Sequence, residues 1–312
     1  RFSRTWQATA AAGILALGAY WIGEQQGWIG GGGITGTKQL AVLPFKNIGE
    51  SPLTKALSDG LSETITSQLT QLQQFQSNLV VLPMSEVRKE LIETASDARK
   101  IFGATLALTG SVQRADDLVR VTVSLVDTAT LRILRSATLD NPTSEFYRLQ
   151  DRVAAETARW LGLRLSAEAK RVISAGQTQV APAYELYLQG RGEFARRDLA
   201  GNLDAAIVHF QQALVKDPRY ALAHAALGEA FWEKYSETKI RLWADEARLS
   251  CNSALEFGGS LAAPHVTLAV ILNGTGQYEP AVAEAQMALQ LDPANADAAR
   301  TMAKSYARLN RS

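Results

Sequence analysis

Apolar positions follow three patterns along this chain, and each pattern predicts a different kind of structure. The first is an unbroken run. Thr5 to Ile22, TWQATAAAGILALGAYWI, contains no charge and is framed by Arg1 and Arg4 before it and Glu24 after it. As a helix the run would rise roughly 27 Å, close to the hydrocarbon thickness of a thin bilayer. Trp6 at one end and Tyr20 with Trp21 at the other suit the membrane interfaces, and the leading arginines place the N-terminus in the cytoplasm. The expectation is one transmembrane helix. A cleaved signal peptide and a buried soluble helix are the competing readings; the bulky Tyr20-Trp21 pair and the lack of a clean A-x-A site argue against cleavage.

The second pattern mixes short apolar runs, helical spacing and strict alternation. Lys38–Pro44 reads as a buried strand ended by proline, and 47–52 as a loop. Leu53, Leu57, Leu61, Ile65, Leu69 and Leu72 recur at helical spacing over about five turns. Gly60 lies within that helix on the side of Ala56 and Thr64, where close packing on a sheet would explain it. Leu79–Leu82 is a second strand, and Ser85–Leu91 and Ser96–Phe102 are two short helices. Thr105–Arg114, Leu118–Val126 and Arg132–Leu139 form an antiparallel meander, with Val119, Val121, Val123 and Leu125 on one face and Arg120, Thr122 and Ser124 on the other. Pro142 ends the sheet. A last helix spans Ser144–Leu165, with Phe146, Leu149, Val153 and Trp160 on its buried stripe. The order predicts one α/β domain of mixed sheet with helices packed on it.

The third pattern is alanine-rich, all-helical and periodic from Ala181 onward. Ala206, Phe210, Ala213 and Asp217-Pro218 recur as Ala281, Ala285, Ala288 and Asp292-Pro293, with Ala247, Cys251 and Ala254 as a middle copy. Ala254 to Ala288 is 34 residues, the tetratricopeptide period, and Ala213 to Ala254 is 41, that period plus seven. The seven-residue insertion falls near Glu233–Ile240, where it should lengthen a turn. The first pair, Tyr184–Arg196 and Leu203–Lys216, has a longer connection, and a fourth copy is incomplete.

Between the first two patterns lies 24–37, EQQGWIGGGGITGT, whose four successive glycines predict a flexible linker. Gly31-x4-Gly36 before Thr37-Lys38 imitates a phosphate-binding loop, but Thr and Lys are transposed and the loop precedes a strand, so no nucleotide is expected there. The layout predicted is therefore 1–23 span and stub, 24–37 linker, 38–176 α/β domain and 181–312 repeats.

Several fragments resemble the TolB amino-terminal-like domain. They are LAVLPF at Leu40–Phe45, SDGLSETITSQL at Ser58–Leu69, FGATLALTGSV at Phe102–Val112, VRVTVSLVDTAT at Val119–Thr130 and LQDRVA at Leu149–Ala154. In bacterial relatives with this arrangement, the domain follows one membrane helix and precedes tetratricopeptide (TPR) repeats. The output domain ahead of the span is a Ser/Thr kinase, a nucleotide cyclase or a winged-helix regulator. The wording of FKNIGE and of GSVQRADDLVRVTVSLVDT looks most like the versions attached to Ser/Thr protein kinases. The resemblance implies the non-catalytic, periplasmic sensing region of a protein in the bacterial inner membrane, with a kinase ahead of Arg1. The alternatives are a periplasmic adaptor with a cleaved signal, or the sensor of a regulator or cyclase.

Composition narrows the chemistry. The chain has 312 residues, with Lys and Arg totalling 32 against 31 Asp and Glu, which offers no electrostatic case for nucleic acid. Its one cysteine, Cys251, excludes an intrachain disulfide. By repeat position Cys251 reads as a small buried hydrophobe, and His224 and His265, 41 apart, as packing residues. Asp59 and Glu63 share a helix face and read as solvated carboxylates. No catalytic, cofactor or metal site is expected. Stacked TPR pairs present a concave face that receives peptides or proteins, for which Tyr187, Arg191, Glu229 and Trp232 on the first helices are the candidates. Packing beneath the insertion competes with that role for Trp232. A ligand there could act through one span by changing association of a homodimer.

Overall fold

The chain's structure, a computed structural model, describes residues 37–310 apart from 50–51, 77, 116, 164 and 294. The Thr5–Ile22 segment and the glycine run therefore lie outside the described residues. Among the described residues no helix is long and apolar enough to cross a membrane.

The sheet is mixed. Strand β1 (Lys38–Val42) lies parallel to β3 (Leu79–Val81) on one side and to β4 (Leu106–Ala115) on the other. β4 continues antiparallel into β5 (Leu118–Asp127) and β6 (Ile133–Pro142), giving the order β3-β1-β4-β5-β6. The alternation read from the sequence holds: Val119, Val121, Val123 and Leu125 are at most 2% exposed. The stretch expected as a loop after Pro44 holds a short strand instead, β2 (Lys46–Ile48), parallel to β4. Phe45, between β1 and β2, turns inward over Gly110 and donates its backbone N–H to the Ser62 hydroxyl at 2.9 Å.

Helix α1 (Pro52–Gln71) is buried on nearly every side. Leu57, Leu61, Ile65 and Leu69 have at most 1% of their surface exposed. Removing each from water is worth roughly 1.5–3 kcal/mol. Its hydroxyls do not orphan polar groups, because Ser62, Thr66 and Thr70 bond back to the carbonyls of Ser58, Ser62 and Thr66. Helices α2 (Met84–Lys89) and α3 (Ala95–Phe102) follow as expected.

The helix expected over 144–165 is shorter at both ends, and a further helix follows it. After a single 3-10 turn, α4 (Tyr147–Trp160) stops where Gly162 adopts φ +69°, and Leu163 N–H closes the end on the Ala158 carbonyl. That left-handed C-terminal stop is natural for glycine. A separate helix, α5 (Ala167–Ser174), is started by the Ser166 hydroxyl accepting from Ala169 N–H. The buried stripe of α4 includes Leu149, Val153 and Ala158 and continues to Leu161, whereas Trp160 is only partly buried.

Among the described residues seven further helices follow, six as antiparallel pairs, α6 (Ala181–Phe194) with α7 (Asn202–Lys216), α8 (Ala221–Thr238) with α9 (Arg241–Gly258) and α10 (Ala262–Gly274) with α11 (Tyr278–Leu291), and then α12 (Ala296–Leu309). The insertion does not lengthen a turn. α8 and α9 are each 18 residues, against 14 and 15 for α6 and α7 and 13 and 14 for α10 and α11, while only Lys239 and Ile240 connect them. Seven residues make about two helical turns, one for each antiparallel partner, so the extra chain is absorbed with its backbone bonds satisfied. Phe231 and Trp243 stack at 5.5 Å across the lengthened hairpin.

From Lys38 onward the chain is one compact unit. Its seam is the crossing of α1 and α6. A methyl on Gly60 would overlap the Leu188 carbonyl, and one on Gly192 would overlap the Ala56 carbonyl. The close packing expected at Gly60 is real, but its partner is the first repeat helix and not the sheet. Asp59 and Glu63 lie on this seam and are not solvated: Arg88 reaches Glu63 at 3.1 Å and Asp59 at 3.7 Å, and Arg196 reaches Asp59 at 3.4 Å.

Candidate partner-binding groove

The repeat cores follow from complementary sizes. In the first pair Gly190 leaves room for the Phe210 ring, and in the second Gly228 leaves room for the Cys251 thiol. In the third pair the equivalent positions are Ala269 and Ala285, both fully buried. Cys251 is a packing residue, and burial pushes its thiol up to about 12, away from nucleophilic chemistry.

Successive first helices touch one another, α8 against α10 and α10 against α12, whereas successive second helices make no comparable contact. The first helices therefore line the inside of the curve, the surface such stacks offer to partners. Tyr187, on α6, is only 6% exposed, with its ring 6.0 Å from Phe210 and 5.1 Å from Tyr220. It packs the floor and does not project from it. Arg191 meets Glu229 of α8 at 3.0 Å, and its guanidinium lies 5.8 Å from the Phe194 ring. Burial opposes the Arg191 charge, and Glu229, then Tyr187 and Glu63, outweigh it, so its pKa is held above the ordinary arginine value. Trp232 lies 5.0 Å from the Tyr235 ring and presses against Gly274 of α10, where no side chain would fit.

Arg191 and Glu229 are thus brought into direct contact over Tyr187, while Trp232 joins the next pair. Sequence reasoning missed two further ties. Arg197 approaches Glu233 at 3.7 Å, and Lys234 meets Asp204 at 2.5 Å. Burial raises the Glu233 carboxyl above its usual range, and Arg197 only partly offsets this. The two histidines at one repeat position differ: the His224 ring lies 5.5 Å from Phe257, while His265 Nδ1 is 2.7 Å from Glu284. Beyond the groove, the lengthened hairpin and the next turn enclose a cleft of about 470 Å³ lined by Tyr235, Lys239, Arg241, Asp245, Arg248 and Gln277, among others. The insertion was its only trace in the sequence.

Comparison with known proteins agrees with the helical half. A TPR repeat family matches residues 199–234. A Rhizobium meliloti (strain 1021) protein carrying the name "Putative adenylate cyclase 3" is 27% identical over 245 residues, which is 75% of this chain. The chain spans 40% of that relative's length. Among solved structures, the first TPR of Spaghetti (RPAP3) bound to HSP90 peptide SRMEEVD is 21% identical, covering 41% of this chain and 94% of its own, with a TM-score of 0.36. TolB from Acinetobacter baumannii is 17% identical over 41% of this chain and 29% of its own, with a TM-score of 0.26. The chain carries a TPR-type protein-interaction region behind a mixed α/β sheet unit.

Proposed function

We propose that this chain is the partner-recognition region of a larger bacterial signalling protein, anchored by Thr5–Ile22 with its N-terminus in the cytoplasm and its sheet and repeats in the periplasm. The repeats receive a peptide or protein on the inside of their curve. Arg191, Glu229 and Trp232 meet it there, and Tyr187 supports them from the floor. The observation that carries this reading is the row of inner helices, whose polar Arg191–Glu229 tie sits over an independently packed aromatic floor. Such a surface can exchange an internal ion pair for partner contacts without opening the core. Ligand binding would change the association of two copies, since a single span transmits little else.

Of the three output domains considered, a nucleotide cyclase has the best support, through the Rhizobium meliloti relative, and nothing among the relatives favours a winged-helix regulator. A Ser/Thr kinase rests on the wording of the sheet unit alone. Reading the coding sequence ahead of Arg1 separates them. A cyclase catalytic domain is the expected result; kinase H-R-D and D-F-G motifs would replace it with the other output, and a start codon directly before Arg1 would remove the output domain. Topology is tested by fusions. A periplasm-active reporter after Gly33 should be active and one before Arg4 silent, and the reverse pattern would overturn the periplasmic placement.

A further inference from the structure

The cleft beside the lengthened hairpin has a chemistry that neither the groove nor the repeat pattern requires. Two of its three cations, Arg241 and Arg248, stand two turns apart on one side of α9, with Asp245 between them. Asp245 approaches Arg241 at 3.9 Å and Arg248 at 3.6 Å. These are single long contacts that leave most of each guanidinium's five donors uncommitted. Lys239 caps the end of α8 at φ +58°, with its amine 5.7 Å from the Tyr235 ring. Among the described residues it has no carboxylate within ion-pair distance. The opposite wall comes from the neighbouring repeat. Thr275 and Gln277 are joined there at 3.2 Å, and Gly274 lets the wall lie flat against Trp232. The cleft is thus a mainly polar slot with one aromatic side chain, Tyr235, and an excess of two positive charges from its ionisable walls, Lys239, Arg241 and Arg248 against Asp245.

Spacing selects the class of ligand. Arg241 and Arg248 are separated by about 10.5 Å along the helix axis. One small oxyanion bridging the two would have to take the place of Asp245, whose carboxylate already approaches both. Carboxylates two residues apart on an extended peptide share one face about 7 Å apart, so each can meet one guanidinium on the side away from Asp245. We propose that this cleft anchors an acidic peptide segment through its carboxylates, at a place distinct from the Arg191–Glu229 tie. The proposal deepens the partner-recognition reading and rests on it. It assigns a role to the insertion: each extra turn carries part of the cationic wall beyond the ends of the neighbouring pairs.

The test uses the full chain and a fluorescein-labelled hexaglutamate peptide, read by anisotropy at low and moderate salt. The wild-type chain should bind saturably, and added salt should weaken binding. Replacing Lys239, Arg241 and Arg248 together by glutamine should lower affinity at least about tenfold. Asp245→Asn should raise it about threefold, a gain that misfolding cannot imitate. Arg191→Gln should leave it within about twofold, since that residue belongs to the groove. Absence of saturable binding, an equal loss with Arg191→Gln, or displacement by inorganic phosphate as effective as that by unlabelled peptide would each overturn the proposal. The reporter fusions after Gly33 and before Arg4 fail or succeed independently, so loss of the periplasmic reading and loss of this site are distinguishable.

Discussion

The seam between the sheet unit and the repeats is made of backbone, whereas the interfaces within the repeats are made of side chains. At the seam, Gly60 and Gly192 each face a carbonyl of the opposite helix. In the repeats, Gly190 and Gly228 face an aromatic ring and a thiol. The difference matters because a side chain can be trimmed to accept a larger neighbour, while a carbonyl in a hydrogen-bonded helix cannot. The repeat interior is therefore open to compensating changes, and its third pair already carries one, with Ala269 opposite the small Ala285. The seam has no such freedom, and it fuses the two halves into a single unit through α1 and α6.

The largest expected effect breaks the seam. Gly60→Val places branched carbon atoms on the Leu188 carbonyl and should cost about 3–4 kcal/mol, above the usual range for overpacking. Chemical denaturation should show one transition with a lowered midpoint, because α1 is core to both halves. Gly162→Ala is the matched control: its φ is +69° with open space around it, so it should cost only about 1 kcal/mol through backbone strain. If Gly60→Val lost only the repeats and left the sheet intact, the shared-unit picture would be wrong. A truncation at Ala181 would expose the α1 face around Ala56 and Gly60.

The second effect tests whether the repeats can compensate. Gly228→Ala brings a methyl to 2.5 Å from the Cys251 sulfur and 3.0 Å from the Ala247 carbonyl. It should cost about 2 kcal/mol. Adding Cys251→Ala recreates the pairing of the third repeat and should recover about half of that loss, a coupling readable in a double-mutant cycle. At the seam no such rescue is available, because truncating Leu188 leaves its carbonyl in place. Additivity of the two repeat changes would remove the distinction between the interfaces.

The sequence carried the repeats further than the seam, for a physical reason. Period and alternation are local signals, so Val119 to Leu125 and the 34-residue spacing were readable without a structure. The partner of Gly60 is 128 positions away, at Leu188, and nothing near either residue announces it. The pairing of Asp59 and Glu63 with Arg88 and Arg196 escaped for the same reason. β2 is three residues with both ends exposed, too short to show any alternation. The insertion was located correctly, but its form was misread, because seven residues fit two helices as readily as one loop. Arg191 and Glu229 were legible as first-helix positions, but that they neutralise each other was not. The cleft depends on Gln277 and Arg241 meeting across repeats and has no local pattern.

A smaller effect concerns the groove itself. Arg191→Gln breaks the tie to Glu229, whose side chain is 43% exposed. Water can replace the lost partner there, so the stability cost should stay below about 1 kcal/mol. The midpoint should barely move, and binding of a partner on the inner face should be the quantity that changes. A cost as large as that of Gly228→Ala would make the pair a structural tie of the same rank as the repeat core.

The smallest effect separates two half-buried groups within the repeats by the sign of their response to acid. Burial lowers the pKa of His209, with Glu193 acting in the other direction. As the pH falls through the ordinary histidine value of about 6.5, the unfolded chain takes up a proton that the folded chain refuses, so this residue makes the protein less stable in acid. Burial raises the pKa of Glu233, Arg197 opposes that shift, and Glu229 and Glu237 add to it. Its folded form takes up a proton before the unfolded form does, so this residue makes the protein more stable as the pH falls through its raised value. His209→Gln should therefore flatten the fall in melting temperature as the pH drops through the ordinary histidine range, and Glu233→Gln should steepen the fall as the pH drops toward the ordinary carboxylate range. Two variants shifting the slope in the same direction would show that one of these side chains is more hydrated than its packing implies.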